Sequence, residues 1–348
     1  MIRFALRQFR VPAIAAAVAL VAVGAVVLLT HGHLVDVYDS TVRGCGDRAG
    51  CDQSRMAFLD THHSLGGWLG VLTVAVPGLI GVFWGAPLVA REIEQGTFRL
   101  AWTQSVTRSR WLAAQLAVAG LASVVVAGAV SWMVTWWSQL QDSVSDDAFR
   151  FFDQRNVVPM GYALVALLLG VTAGVFVRRV MPAIATTVVA LIAVRFAVTH
   201  WIRPVLLSPR TVTSAIDATR TGYGTEDGGP MSLMPEPPRL PNAWIRSVEI
   251  VDGVGRRLTP ARVDALCPTL GSDMGPPPSG DGGRTQVREK VVDSLHDCIT
   301  KVGAKYHVVT TYHPSSRYWA FQWLELGVYV AIAAALIGVC FWGVRRLR

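Results

Sequence analysis

Six stretches of this chain are too long and too apolar to stay in water. Residues 12–30, 65–88, 112–137, 158–177, 181–203 and 319–344 run almost without charge. Each is close to or above the roughly 20 residues that carry a helix across a bilayer core at about 1.5 Å per residue. Lipid offers the backbone no partner, so each stretch must be a helix that satisfies its own peptide groups. The expected fold class is an all-α membrane protein with six transmembrane helices, interrupted between helices 5 and 6 by a small soluble domain.

Charge placement orients these helices. Charged residues make up 16% of the 348, against 52% hydrophobic, and soluble domains carry nearer a quarter. Arg3, Arg7 and Arg10 precede the first stretch, and Arg91, Arg99, Arg108 and Arg110 lie between the second and third. Arg178 and Arg179 separate the fourth from the fifth, and Arg345, Arg346 and Arg348 follow the sixth. A six-pass path puts all of these on one side, which the positive-inside rule makes cytoplasmic, with both termini. The other side receives Asp36, Asp39, Asp47, Asp52 and Asp60, then Asp142, Asp146, Asp147 and Asp153. The net charge of +8 is thereby absorbed by topology, and no basic stripe remains for nucleic acid.

Three regions follow: residues 1–203 with helices 1–5 and a cytoplasmic loop at 89–111, an extracytoplasmic domain at 204–318, and residues 319–348 with helix 6 and a basic tail. The middle region reads as α+β. A Gly/Pro-rich stretch around Pro235, Pro237 and Pro238 looks irregular, 244–251 looks like a strand, and Thr259-Pro260 opens a short helix. Val287, Val291, Leu295, Cys298 or Ile299, and Val302 recur at helical spacing, and 305–312 alternates as a second strand. Cys45 and Cys51 share the first outer loop, and Cys267 and Cys298 share the large one. Outside the cytoplasm such pairs are expected as disulfides. The alternative, a metal site using His31, His33, His62 and His63, lacks zinc-type spacing.

What is missing narrows the function. No lysine follows a glycine, so no phosphate-binding loop exists, and neither His-Glu-x-x-His nor Gly-x-Ser-x-Gly occurs. An enzyme acting alone is not expected, and no cofactor is expected in this chain. Gly66/Gly70, Gly81/Gly85 and Gly170/Gly174 are spaced for close helix approach. Two charges fall inside apolar stretches. Arg195 lies about 12 Å from the outer end of helix 5 and Glu325 about 9 Å from that of helix 6, counted by helical rise. Similar depth on antiparallel helices predicts an Arg195–Glu325 ion pair, since buried charges in membranes are costly unless paired.

The segment from Gly85 to Trp111 is the only substantial cytoplasmic surface. It carries Arg91, Glu92, Glu94, Gly96, Thr97, Phe98, Trp102, Val106, Thr107 and Arg108. The run Glu-x-Glu-x-Gly-Thr, followed about ten residues later by Val-Thr-Arg, resembles the intracellular loop of type-2 ABC exporter permeases. The sharper likeness is to actinobacterial permeases of this kind, through Trp-Thr-Gln-Ser-Val-Thr-Arg at 102–108. The approach to the last helix also matches them, at Tyr312, Pro314, Ser316, Arg317, Tyr318, Trp319 and Gln322. Gln115 stands where a lysine is often found in that family.

The resemblance implies a permease subunit in a bacterial plasma membrane, paired with a separate ATPase that binds ATP and Mg, and dimeric. Residues 92–102 would form the coupling helix, with Arg91 and Arg108 beside it, and lipid would surround the bundle. The expected function is ATP-driven outward movement of a hydrophobic or amphipathic compound. The competing expectations are a membrane-anchored sensing or assembly protein without transport activity and, more weakly, an intramembrane enzyme.

Overall fold

A computed structural model describes residues 9–43, 51–96, 107–145, 147–225, 231–268 and 281–346. The chain divides into two compact units, Met1–Leu207 with Arg317–Arg348, and Ser208–Ser316.

Among the described residues, the first unit holds six helices long and apolar enough to cross a membrane. They are Arg10–Ser40, Gly66–Glu94, Ser109–Asp142, Val158–Val177, Val180–Val205 and Ser315–Arg346, here spans 1 to 6. The six apolar stretches of the sequence fall on them, and most of the helices run well past the apolar part. Helix α1 covers Arg10–Thr41 and α2 covers Cys51–Leu79. A π-helical segment, Ile80–Gly85, leads on to α3, Ala86–Glu94. Then come α4 (Arg108–Ser145), α5 (Val158–Val177) and α6 (Val180–Ala197). The basic segment at residues 1–8 lies outside the described residues.

Span 4 is the axis of this unit. Some 61% of its apolar window is buried, against 6% for span 1. Small residues are the cause, because they let neighbouring backbones come close without a hydrophobic driving force between helices. A Cβ on Gly81 would lie 2.7 Å from the Ala166 carbonyl oxygen, and one on Gly174 would lie 2.8 Å from that of Ala86. Two of the three glycine pairs expected to permit tight packing, Gly81/Gly85 and Gly170/Gly174, thus meet each other, while Gly66 and Gly70 lie against the Gln141 and Gln154 side chains. The π-helical turn sits at this contact, three residues after Pro77. A proline inside a helix withdraws one donor, and local π geometry is a common way to absorb the fault.

Span 1 packs only along one side, where Val27 and Leu34 join Phe58, Leu69, Val134 and Trp137 in one buried cluster. The Trp137 indole N–H donates to the Thr30 hydroxyl at 3.1 Å, and the His31 ring lies against Trp136 at a tilt of 33°, with ring centres 3.9 Å apart.

The second unit is built on a three-stranded antiparallel sheet in the order β1-β5-β4, with a separate β2-β3 hairpin. The strands are β1 (Arg210–Ser214), β2 (Thr221–Thr225), β3 (Met231–Pro235), β4 (Trp244–Asp252) and β5 (Tyr306–His313). Helices α7 (Pro260–Leu266) and α8 (Asp281–Gly303) lie between β4 and β5 in sequence. Cys298, Ile299 and Val302 of α8 and Val263 of α7 bury against Ile250 and Val308 of the sheet. A disulfide joins Cys267 and Cys298, their Cα atoms 5.3 Å apart, inside this core. The side chains of Val287 and Val291 lie outside the described residues, as does Cys45.

Two strands expected from the sequence, 244–251 and 305–312, are present within a residue at each end. The stretch expected to be irregular instead contributes β2 and β3, with β1 ahead of it. Glycine and proline lower the intrinsic strand preference there. Pairing overrides it: Tyr223 faces Leu233 across the hairpin, and Val212 faces Thr310 of the central strand.

Candidate functional site

Successive spans alternate in direction, so the first unit has two ends. At one end, span 2 finishes in α3 and the turn between spans 4 and 5 returns. Ala86 and Ala90 of α3 bury against Ala183 of span 5, with Ala173 and Val177 of span 4 beside them. Small side chains bring α3 flat against both helices. The outward face is polar: Arg91, Glu94, Gln95, Gly96, Arg178 and Arg179 are exposed.

One contact ties this tip together. The Glu94 carboxylate accepts a hydrogen bond from the backbone N–H of Val180 at 3.0 Å. Val180 is the first residue of α6, so its N–H has no partner within the helix. A carboxylate placed there satisfies the donor and complements the helix dipole. Glu94 therefore fastens the end of α3 to the start of span 5.

The helix ends at Glu94, and two residues on, Gly96 takes a left-handed φ of +69°, open to glycine at little cost. Of the expected coupling residues, Arg91, Glu92, Glu94 and Gly96 lie on this tip. Thr97, Phe98 and Trp102 fall outside the described residues, and Arg108 is described only as the first residue of α4.

At the opposite end, the connection between spans 3 and 4 carries a 3-10 turn, Phe152–Gln154. Asp153 in this turn bonds both Arg195 and Arg203 of span 5, the former at 3.1 Å. Arg203 in turn grips Glu325 of span 6, with Nε to Oε2 at 2.7 Å and Nη2 to Oε1 at 2.8 Å. The direct Arg195–Glu325 pair expected from depth is not formed. Asp153 and Arg203 stand between the two residues, giving a chain Arg195–Asp153–Arg203–Glu325 with no formal net charge.

The physical reason is reach. Arg203 lies two turns nearer the end of span 5, level with the loop carboxylate, so its guanidinium can serve two acids at once. Glu325 is fully buried and Arg203 is 8% exposed. Tyr162 lies under the Arg195 guanidinium at 5.1 Å, and Phe152 under that of Arg203 at 4.8 Å, so aromatic faces replace water around both cations.

Polar bonds fasten the same connection on every side. Gln322 of span 6 donates to the Phe152 carbonyl at 3.1 Å and accepts from the Val158 N–H at 3.3 Å. The Asn156 amide donates to the Tyr318 hydroxyl at 2.7 Å, and Ser131 of span 3 donates to the Asn156 carbonyl at 2.9 Å. Arg155, buried at 3% exposure, pairs with Asp142. Nearby, burial pushes the Asp147 carboxyl above its ordinary range, in spite of the hydrogen bond from the Phe149 N–H that opposes the shift.

The sequence marked Arg195 and Glu325 because charges inside apolar stretches stand out. It did not mark Asp153, one of several loop aspartates, or Arg203, which sits at a helix boundary beside Pro204. Their signal was joint: an acid and a base flanking two already suspicious charges in a six-pass path.

Among the described residues no group of three or more His, Cys, Asp or Glu side chains could hold a metal ion. Two crevices near span 2 have room for about one water molecule each; one is lined by Gln141, Ser145, Arg150 and Phe151, the other by Gly66, Trp137 and Gln154.

No curated protein and no solved structure matches the chain. A family model described as ABC-2 membrane transporter related matches residues 17–203. That range takes in the polar tip of α3 and three of the four clustered charges, and leaves Glu325 outside. With more than half of its length inside the match, the chain belongs to the ABC-2 membrane transporter related family.

Proposed function

We propose that this chain is the permease subunit of an ABC-type exporter, and that the tip formed by α3 and the turn between spans 4 and 5 receives the motion of a separate ATPase. The family membership supports a membrane transport subunit paired with an ABC ATPase. The observation that carries the coupling role is the Glu94–Val180 hydrogen bond. A push on α3 would pass directly to spans 4 and 5 through a small-residue contact that has little room to yield. ATP and Mg would be held by the partner, in keeping with a sequence that has no phosphate loop.

The positive-inside rule places the α3 tip in the cytoplasm, with its exposed Arg91, Arg178 and Arg179. It places the disulfide-bearing unit outside, where disulfides persist. The cargo would be hydrophobic or amphipathic, and the assembly would contain two permease chains.

Co-purification with the partner ATPase tests the reading. Glu94→Arg reverses the charge of the tip and removes the acceptor, and Gly96→Pro is incompatible with positive φ. Both should abolish co-purification while the chain still reaches the membrane. Unchanged ATP turnover of the reconstituted pair with either variant would overturn the coupling assignment. Membrane-impermeant maleimide should label Glu249→Cys, and not Arg91→Cys, in intact cells; the reverse pattern would overturn the orientation.

A further inference from the structure

The connection between spans 3 and 4 is tied by ion pairs and hydrogen bonds to spans 3, 5 and 6. Its construction argues against gating. Mobile elements are drawn from the weakly held parts of a fold, with few buried contacts and exposed hydrogen bonds. Here the short turn at 152–154 joins ion pairs to span 5, hydrogen bonds to span 6, and aromatic contacts to both sides. Phe152 packs edge-on against Tyr318 and Phe321, with ring centres 5.4 and 6.4 Å away. Opening it would strand at least one charge in a desolvated site, where losing one partner of a buried pair is strongly unfavourable.

The charges also balance as a set. Removing Asp153 from the cluster would leave two arginines against one carboxylate, so partial opening is no easier than full opening. Span 6 enters the cluster through Gln322 and Glu325, both fully buried, three residues apart on one face.

We propose that the 147–157 connection clamps spans 3, 4, 5 and 6 into one rigid body that stays shut throughout the transport cycle. Any opening at that end then runs outside these four spans. The inference rests on the transport reading above. It adds that the conformational change does not pass through the charge chain.

Hydrogen exchange of the full chain in lipid nanodiscs tests this, alone and with its ATPase in nucleotide-free, ATP-bound and post-hydrolysis states. Amides of residues 152–158 should exchange at rates within about twofold of one another across all states, while those of 86–96 change by about tenfold or more. Exchange at 152–158 that quickens about tenfold in any nucleotide state would overturn the clamp.

If no ATPase binds, the transport reading fails and the clamp is still decided on the chain alone. Its amides at 152–158 should exchange as slowly as those of 160–175 in span 4, and Glu325→Gln or the milder Asp153→Asn should raise their exchange about tenfold. Fast exchange in the unaltered chain, or no change in either variant, would overturn it.

Discussion

Arg203 holds Glu325 through two nitrogen atoms, at 2.7 and 2.8 Å, and reaches Asp153 with one of the same two. A single guanidinium therefore connects span 5 both to span 6 and to the loop before span 4.

Glu325→Ala would leave Arg203 buried beside one shared carboxylate. The expected loss of stability is about 3–5 kcal/mol, as for one partner of a buried pair. Arg203→Met combined with Glu325→Leu removes both members and leaves Arg195 with Asp153, a neutral pair. The double variant should recover most of that loss. Thermal unfolding in nanodiscs followed by tryptophan fluorescence checks this; a double-variant midpoint no higher than that of Glu325→Ala would show that the single loss does not come from an unpaired Arg203.

Gly170→Ala would place a methyl group 2.6 Å from the Ala86 backbone nitrogen, where only backbone can yield. Overpacking of this kind costs about 1–3 kcal/mol. A Cβ on Gly327 of span 6 meets nothing within 4 Å, so Gly327→Ala should be neutral or slightly stabilising, as expected from helix propensity. The same unfolding measurement compares them. A Gly170→Ala midpoint equal to that of Gly327→Ala would contradict the tight approach of spans 2 and 4.

Glu94→Ala removes the acceptor for the Val180 N–H and should cost about 1 kcal/mol, in the manner of a lost N-terminal cap. Glu94→Gln keeps a side-chain carbonyl and should cost less. If the contact transmits motion, transport-coupled ATP turnover should fall in Glu94→Ala well beyond this modest stability change. A turnover that follows stability alone would make Glu94 a structural cap only.

Loss of the Cys267–Cys298 disulfide, which spans 31 residues, should destabilise the second unit by about 3–4 kcal/mol on the chain-entropy account. Replacing both cysteines by serine and following limited proteolysis between Ser208 and Ser316 reads this directly. The spans should remain protected, and cleavage that spreads into span 4 would contradict the separation into two units.

Hydropathy made the spans legible because lipid leaves a helix no alternative. The span 4 boundaries, 158–177, could be read to the residue since Arg178 and Pro159 mark both edges. Strands β4 and β5 showed in their apolar and β-branched content. Strand β2, Thr-Gly-Tyr-Gly-Thr, is interrupted by two glycines that lower its strand preference, and it exists through its pairing with β3. In the charge cluster, depth counting found the two charges inside the apolar stretches. It could not find Asp153, because a loop residue has no helical phase to count from.

The partnership of Arg203 and Glu325 also sets an order of assembly. They are separated by 122 residues, which takes the ribosome roughly 6–24 s at 5–20 residues per second. Until the last helix arrives, Arg203 has only Asp153 and the headgroup region to shelter its charge. Insertion of the first five helices thus yields an intermediate with an unfinished site, and the final helix completes the bundle by supplying the missing carboxylate.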